Sequence, residues 1–454
     1  MSRFLDPMLS FVRTALNSYR REIANMRWLF FDRLFRVFGN FLIGVVAARL
    51  LGPADYGGIS YAQTVAAFLM LVVAFGLNSV VVKRLIDRPG EAVVTLGTAA
   101  LLQALATAAV MAVTIVTTLS GGATDSYAAI VAIVACGLVL RPTEVFRYWF
   151  EANVNARRAV IADNVAFLVS GAVKITVLYA SRSIEALAWT LVLEQLLGGI
   201  CLGVAYYTDR SRPGRWRVDR KVARQLVAQA WPLLLSGLAV ALYMRIDQFV
   251  IMNARGAAET GVYNAAVRLS EIFYVLPTIV ATSFFPRWQG LIGKSGDRHV
   301  LAVRSAMAGM VAFSVAIALF LSLAASPLVH LLYGDEYERA VPVLAIHAWT
   351  CVFVSMGILG NQWYLSHNLQ SRTLLCTVLG ASSNFAINLM LVPAIGAVGA
   401  AIASLAAQII STFVADVFSS KTRPLFYSKA YALLWPLALF QRKMLRDMPA
   451  KESH

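Results

Sequence analysis

Charge is scarce in this sequence. Of 454 residues only 14% are Asp, Glu, Lys or Arg, whereas 59% are hydrophobic. Together with a mean hydropathy of +0.67, this excludes a soluble domain, however large its core, and leaves a chain that crosses a bilayer many times. Cysteine is scarce as well. The four, Cys136, Cys201, Cys351 and Cys376, all sit inside apolar runs, which excludes a disulfide framework and a metal cluster and leaves them as small core residues. Histidine is nearly absent: His299, His330, His347 and His367 lie at or near the ends of apolar runs without matched partners. There is no glycine loop of the kind that cradles a phosphate. No enzyme signature emerges, and neither a metal nor an organic cofactor is expected. A secretory leader is not expected either, because Met1–Arg27 is basic, its apolar pieces are short and no small-residue cleavage site follows.

Acids are the scarcer charge, 24 against 40 bases, which gives a net charge of +16. That surplus would fit a nucleic-acid partner, but the distribution of Lys and Arg decides otherwise. Bases gather in alternate breaks between apolar runs: Arg3 to Arg27, then Lys83, Arg84 and Arg88, then Arg147, Arg157 and Arg158, then Arg210 to Arg224, then Arg287, Lys294, Arg298, Arg304 and Arg372, then Lys421 onward. The intervening turns hold only Arg49, Arg182, Arg255 and Arg339. This is the positive-inside pattern, and it places both termini in the cytoplasm. The basic surplus sets topology and meets anionic lipid heads.

Apolar runs of about 20 residues, broken by charge or by Gly and Pro, define the spans. They are 28–51, 58–82, 92–118, 127–148, 159–180 and 184–207, then 230–254, 260–285, 300–326, 340–365, 372–392 and 397–418. The hairpin turn after the first span recurs after the seventh. Gly256 to Ala266 aligns at constant offset with Gly52 to Ala62, and both copies put an acid, Glu259 or Asp55, between two glycines. A second constant offset pairs Lys174 with Asn388 and Glu194 with Gln408, so the first half carries ions where the second carries neutral polar groups. A repeat spanning half the chain outranks any local motif, and transporters commonly hold substrate between two such halves. The expected fold is all-α and polytopic, with about twelve transmembrane helices in two pseudo-symmetric six-helix bundles. Its parts are a cytoplasmic segment 1–27, a first bundle 28–207, a basic cytoplasmic linker 208–229, a second bundle 230–418 and a cytoplasmic tail 419–454. In that tail Leu425–Phe440 is apolar but short and reads as an interfacial helix.

Several spans carry ions, each costing roughly 2.5–3.5 kcal/mol near a bilayer centre even on the lenient insertion scale. In the first span Arg33, Arg36, Asn40 and Gly44 fall at i, i+3, i+7 and i+11, on one helical face. Similar faces collect Arg141, Glu144 and Tyr148; Asp163, Ser170 and Lys174; and Asn264, Arg268 and Glu271. One reading is that these ions only neutralise one another, as Asp32 with Arg36 or Arg268 with Glu271 would along a helix. A wet central cavity explains the set together. Arg offers phosphate a bidentate fork and Lys a point charge, so Arg33, Arg36, Lys174, Arg245 and Arg268 are the candidate contacts to an anionic head group. Asp163, Glu194, Asp247 and Glu271 are candidate counter-ions or sites for a coupling proton or sodium ion.

The turn Leu51-Gly-Pro-Ala-Asp-Tyr-Gly-Gly-Ile-Ser-Tyr-Ala62, followed by Phe75-Gly-Leu-Asn-Ser-Val-Val-Val-Lys-Arg84, resembles the first hairpin of a bacterial flippase family. Its members move undecaprenyl-diphosphate-linked O-antigen or related repeat units. Glu144 to Arg158 resembles that family's break between its fourth and fifth spans. The resemblance implies the fold of the multidrug/oligosaccharidyl-lipid/polysaccharide (MOP) exporter superfamily, with two bundles rocking about a cationic cavity. It also implies a position in the bacterial inner membrane, a lipid-linked oligosaccharide as substrate and no covalent chemistry. Pathway polymerase and chain-length proteins are the implied partners, besides membrane lipids. By position, the family's cavity bases fall on the five cations named above. The rivals are a cation-coupled drug or metabolite exporter of the same superfamily, and an integral-membrane polymerase or ligase, for which the outer turns look too short.

Overall fold

A chain in lipid must satisfy its backbone hydrogen bonds within itself, and the helix does so within one segment. The computed structural model of the protein describes residues 2–120, 126–278, 296–367 and 369–434, with side chains over 34–118, 127–155, 157–278, 304–367, 369 and 371–434. Among these residues there are helices, turns and short 3-10 segments, and no strand. The helices are α1 (Ser2–Ala74), α2 (Leu77–Asp87), α3 (Ala92–Ser120), α4 (Ser126–Cys136), α5 (Val145–Ala152), α6 (Ala156–Ser181), α7 (Ile184–Tyr207) and α8 (Arg220–Arg255). They continue as α9 (Ala257–Glu271), α10 (Gly296–Leu323), α11 (Ala325–Leu332), α12 (Ala340–His347), α13 (Thr350–Ser366), α14 (Gln370–Thr412) and α15 (423–434).

Nine helical stretches among the described residues are long and apolar enough to span a membrane. Two of them, Leu34–Asp87 and Ser371–Asp416, each contain two expected spans joined across a kink. The kinks sit at Gly52 (φ 75°) and Gly396 (φ 61°), a backbone region glycine enters at little cost. The expected span 260–285 begins in α9 and leaves the described residues at 279. This is a multi-pass membrane protein.

The chain divides into two compact units. The first holds Met1–Leu51 with Gly58–Leu238; the second holds Gly52–Gly57 with Ala239–His454. The boundary therefore falls inside α8 and not in the 208–229 linker, for a reason visible in the linker's bonds. Trp216 Nε1 donates to the Tyr206 hydroxyl at 2.9 Å, the Asp219 amide donates to Thr98 Oγ1 at 3.2 Å, and the Arg217 amide donates to the Val93 carbonyl at 3.3 Å. The Asp219 carboxylate then caps α8 through the amides of Lys221 and Val222. Val222, Leu226 and Ala230 at the start of α8 join the core of the first unit with Leu77, Leu96 and Val145.

The second unit packs its core around Met307, Val311, Leu321, Val352, Met356 and Leu359. The tail was expected to lie in the interface. The described part of it, α15, docks on this core through Leu425 and Ala432, and Lys429, fully buried, donates to Asp416 Oδ2 at 2.7 Å and to the Thr412 carbonyl at 2.5 Å. Residues 435–454, with the rest of the expected interfacial helix, lie outside the described set.

Candidate functional site

In the first unit the fourth span does not stay α-helical. After α4 the backbone tightens into a 3-10 segment, Gly137–Glu144, which contains Pro142, and relaxes again into α5. Proline removes one helical donor. A 3-10 turn brings residues three apart into register, so Arg141, Glu144 and Arg147 share one side of the span, where α-helical spacing had grouped Arg141 and Glu144 with Tyr148. Tyr148 points elsewhere, accepting from Gln103 Nε2 at 2.9 Å among core residues.

The three ions meet two others. Arg147 holds Asp163 through both terminal nitrogens, at 2.5 and 2.8 Å, and donates from Nε to Glu144 Oε2 at 2.8 Å. Arg141 Nη1 reaches the other oxygen of Glu144 at 3.2 Å. Arg36, on α1, lies 3.4 Å from Asp163. Gly39 lets α1 approach α6 this closely, since a Cβ there would lie 2.7 Å from the Phe167 ring. These groups line a cavity of about 170 Å³ with Glu194 and Gln195 of α7. Deeper in the same helix pair the Lys174 ammonium, 4% exposed, is paired with the Glu194 carboxylate. Three guanidinium groups and three carboxylates, Glu194 included, line the cavity; with Lys174 counted beside its partner Glu194 the cluster has an excess of one positive charge, and the Arg141 Nε is buried without a hydrogen-bond partner among the described residues.

The second unit holds a smaller polar cavity of about 30 Å³. Asp247 of α8 accepts from the Tyr263 hydroxyl and, at 2.8 Å, from Ser404 Oγ, while its Oδ1 is buried without a partner among the described residues. Asn384 donates to Ser404 Oγ at 3.5 Å, and Asn388 to Asn384 Oδ1 at 2.6 Å. Arg245 pairs with Glu271 at 3.2 Å, so Glu271 serves a neighbouring helix where a pairing with Arg268 had been one expectation. Arg268 lies over the Tyr56 ring, 5.6 Å from its centre.

The sequence expectations therefore sort by unit. Arg36 and Asp163 share the first cavity, with Lys174 and Glu194 paired beside it; Arg245, Asp247 and Glu271 line the second. Arg268 does not line either cavity. The side chains of Arg33 and Asp32 lie outside the described residues. Sequence reasoning missed Arg147 as a site residue, having assigned it to a cytoplasmic break. The signal was the i, i+3, i+6 spacing of Arg141, Glu144 and Arg147 about Pro142.

A family described as polysaccharide biosynthesis protein matches residues 46–342, more than half of the sequence. The chain belongs to this polysaccharide biosynthesis family. The protein named "Probable flippase AglR" of Haloferax volcanii is 24% identical over 260 residues, covering 55% of this chain and 52% of AglR. The chain thus spans about half of that relative's length. The same organism's "Probable low-salt glycan biosynthesis flippase Agl15" is 22% identical over 401 residues, covering 83% of this chain and 79% of Agl15. Among solved structures, the lipid II flippase MurJ in an inward closed conformation aligns with a TM-score of 0.71 at 14% identity, over 95% of this chain and 94% of MurJ. An inward-facing multidrug resistance MATE family transporter of the MOP superfamily aligns with a TM-score of 0.65 at 14% identity, over 89% of this chain and 95% of the transporter. At these identities the structures speak for the fold alone. This member of the polysaccharide biosynthesis family has the MOP exporter fold.

Proposed function

We propose that the protein flips undecaprenyl-diphosphate-linked oligosaccharide repeat units from the cytoplasmic to the periplasmic leaflet of the bacterial inner membrane, with both termini cytoplasmic. The product would feed O-antigen, capsule or exopolysaccharide assembly through the polymerase and chain-length proteins of that pathway. The observation that carries this reading is the positive excess at the first cavity, where Arg36, Arg141, Arg147 and Lys174 outnumber Glu144, Asp163 and Glu194. A diphosphate diester is an anion whose oxygens suit guanidinium forks. The names of AglR and Agl15 as probable flippases, the latter of glycan biosynthesis, support flipping of a glycan carrier. The sugars follow the diphosphate into the cavity, while the polyprenyl tail stays in lipid and avoids desolvation.

Coupling to a sodium or proton gradient belongs to the proposal. The buried, half-satisfied Asp247, with Ser404 and Asn384 beside it, favours a small cation in the second unit. The deciding experiment places the lipid-linked sugar of a deletion strain in a leaflet, using a sugar-modifying reagent that cannot cross the bilayer. Single repeat units trapped facing the cytoplasm support a flippase, and their sugars identify the substrate. Units trapped facing the periplasm would move the defect to polymerisation or ligation and sink the proposal.

A further inference from the structure

Each of the three arginines that a diphosphate would seek in the first cavity already has a carboxylate partner. Glu144 is the shared partner: one oxygen takes Arg147 Nε at 2.8 Å and the other takes Arg141 Nη1 at 3.2 Å. Asp163 occupies the two terminal nitrogens of Arg147 and lies against Arg36. The remaining charged or titratable neighbours do not relieve the competition. Glu151 of α5 is a further carboxyl near Arg147, Lys174 of α6 is committed to Glu194 of α7, and α3 contributes Gln103, which holds the Tyr148 hydroxyl.

Charge balance then limits what binding can do. Arg36, Arg141, Arg147 and Lys174 set against Glu144, Asp163 and Glu194 sum to one positive charge. Adding a diphosphate diester, with two negative charges, leaves the enclosed cluster at minus one. A carboxylate displaced from its guanidinium partner in a poorly hydrated site is an uncompensated buried charge, and such a group neutralises by taking a proton. Glu144 is the group positioned to do so, because both of its partners are arginines that line the cavity and it lacks the bidentate clasp that holds Asp163.

We propose that binding of the diphosphate displaces Glu144 from Arg141 and Arg147 and that Glu144 takes up one proton as it is displaced. The inference rests on the substrate class proposed above. Proton uptake and anion binding are then linked at this site. By linkage, uptake of one proton makes affinity rise by up to about tenfold for each unit that pH falls.

The test is calorimetry on the full-length purified protein with farnesyl-diphospho-N-acetylglucosamine, a short-chain diphosphate diester whose phosphates do not titrate between pH 6 and 8. Titrations in buffers of different ionisation enthalpy count the protons. The expected result is uptake approaching one proton in the wild type, retained in Asp247→Asn. In Glu144→Gln uptake is lost, and affinity at pH 8 rises towards the value the wild type reaches only at lower pH. Wild-type binding with no buffer dependence and no pH dependence overturns the inference and leaves the proposed function standing, and this readout needs no variant to fold. Uptake that survives Glu144→Gln, or that disappears only in Asp247→Asn, overturns the assignment to Glu144. Failure of the wild type to bind this probe at any pH overturns the proposed function, and the inference falls with it.

Discussion

Arg147 and Asp163 meet fork to fork, with nitrogen–oxygen distances of 2.5 and 2.8 Å, and tie α5 to α6 at the wall of the first cavity. Lysine cannot reproduce two parallel bonds. Arg147→Lys should therefore cost about 1.5–3 kcal/mol of stability, the range for hydrogen bonds to charged groups. Denaturant unfolding of the purified protein measures it. A double-mutant cycle with Asp163→Asn should show coupling between the two positions, and purely additive losses would mean that the clasp contributes nothing.

Arg36→Ala and Lys174→Ala should abolish surface glycan export while leaving insertion intact, and Arg36→Lys should restore it only in part. The two act differently. Arg36 lines the cavity, whereas Lys174 is committed to Glu194, so exchanging the charges in Lys174→Glu with Glu194→Lys should recover more export than either single change. Glycan staining of intact cells, with a fluorescent fusion to report insertion, separates these outcomes; normal glycan in both alanine variants would remove the cavity from the mechanism.

Most of the fold was legible because lipid imposes a simple rule on sequence: long apolar runs, sorted charges and glycine at the kinks. The predicted turns at Gly52 and Gly256 are both sites of positive φ. The domain boundary was not legible, since a basic, Pro- and Gly-containing stretch such as 208–219 reads as a free linker. Its attachment depends on Trp216 finding Tyr206 and on Gly97 admitting the Arg217 carbonyl to within 2.4 Å of where a Cβ would stand. The site was half legible. Helical periodicity found Arg36, Asp163 and Lys174, but it assumed α geometry in a segment that Pro142 helps to turn into a 3-10 helix, and so missed Arg147 and gave Tyr148 the wrong neighbours. Lys429 counts in the sequence only among the bases from Lys421 onward, which give no sign that Asp416 waits opposite it.

The duplicated turns also meet each other. A Cβ on Gly57 would lie 1.8 Å from the Ala257 carbonyl oxygen, and one on its repeat equivalent Gly261 would lie 2.0 Å from the Pro53 carbonyl oxygen. Both obstacles are backbone, which cannot rotate aside. Gly57→Ala and Gly261→Ala should each cost about 1–3 kcal/mol, as overpacking does. Gly309→Ala, where a Cβ would meet nothing within 4 Å, should be neutral or slightly stabilising. Melting of the purified variants orders them, and equal behaviour of all three would contradict the packing.

Asp209 gives the linker a pH signature. Burial pushes its carboxyl up, but the Ser211 amide and hydroxyl, Trp149 Nε1 and the Arg158 charge outweigh that and hold it below the usual carboxylate value. A lowered value means that the folded state binds the proton less tightly than the unfolded one. The stabilisation is therefore complete above the ordinary Asp value of about 3.9 and is lost as pH falls through the lowered folded value. Asp209→Asn should speed amide exchange across residues 210–219 at pH 7, and the gap from wild type should close only in that acid range. A gap that closed between pH 7 and 5 would point to a different group.

Lys429 offers the sharpest separation between a charge that stabilises and a charge that is merely tolerated. Its ammonium is 0% exposed and its partner Asp416 is 2% exposed, so neither has water to fall back on. Gly360 leaves the space: a Cβ there would stand 3.0 Å from Lys429 Nζ. Lys429→Met fills similar volume but leaves Asp416, among the described residues, with the Tyr364 hydroxyl at its other oxygen, and breaking one side of a buried pair costs about 3–5 kcal/mol. Removing both charges, in Asp416→Leu with Lys429→Met, should return stability to near wild type or above it, because the desolvation cost of the pair disappears with the pair. If the double variant is as unstable as the single one, α15 is held by the ion pair itself and not by Leu425 and Ala432, and unfolding curves of the three proteins side by side decide between the two.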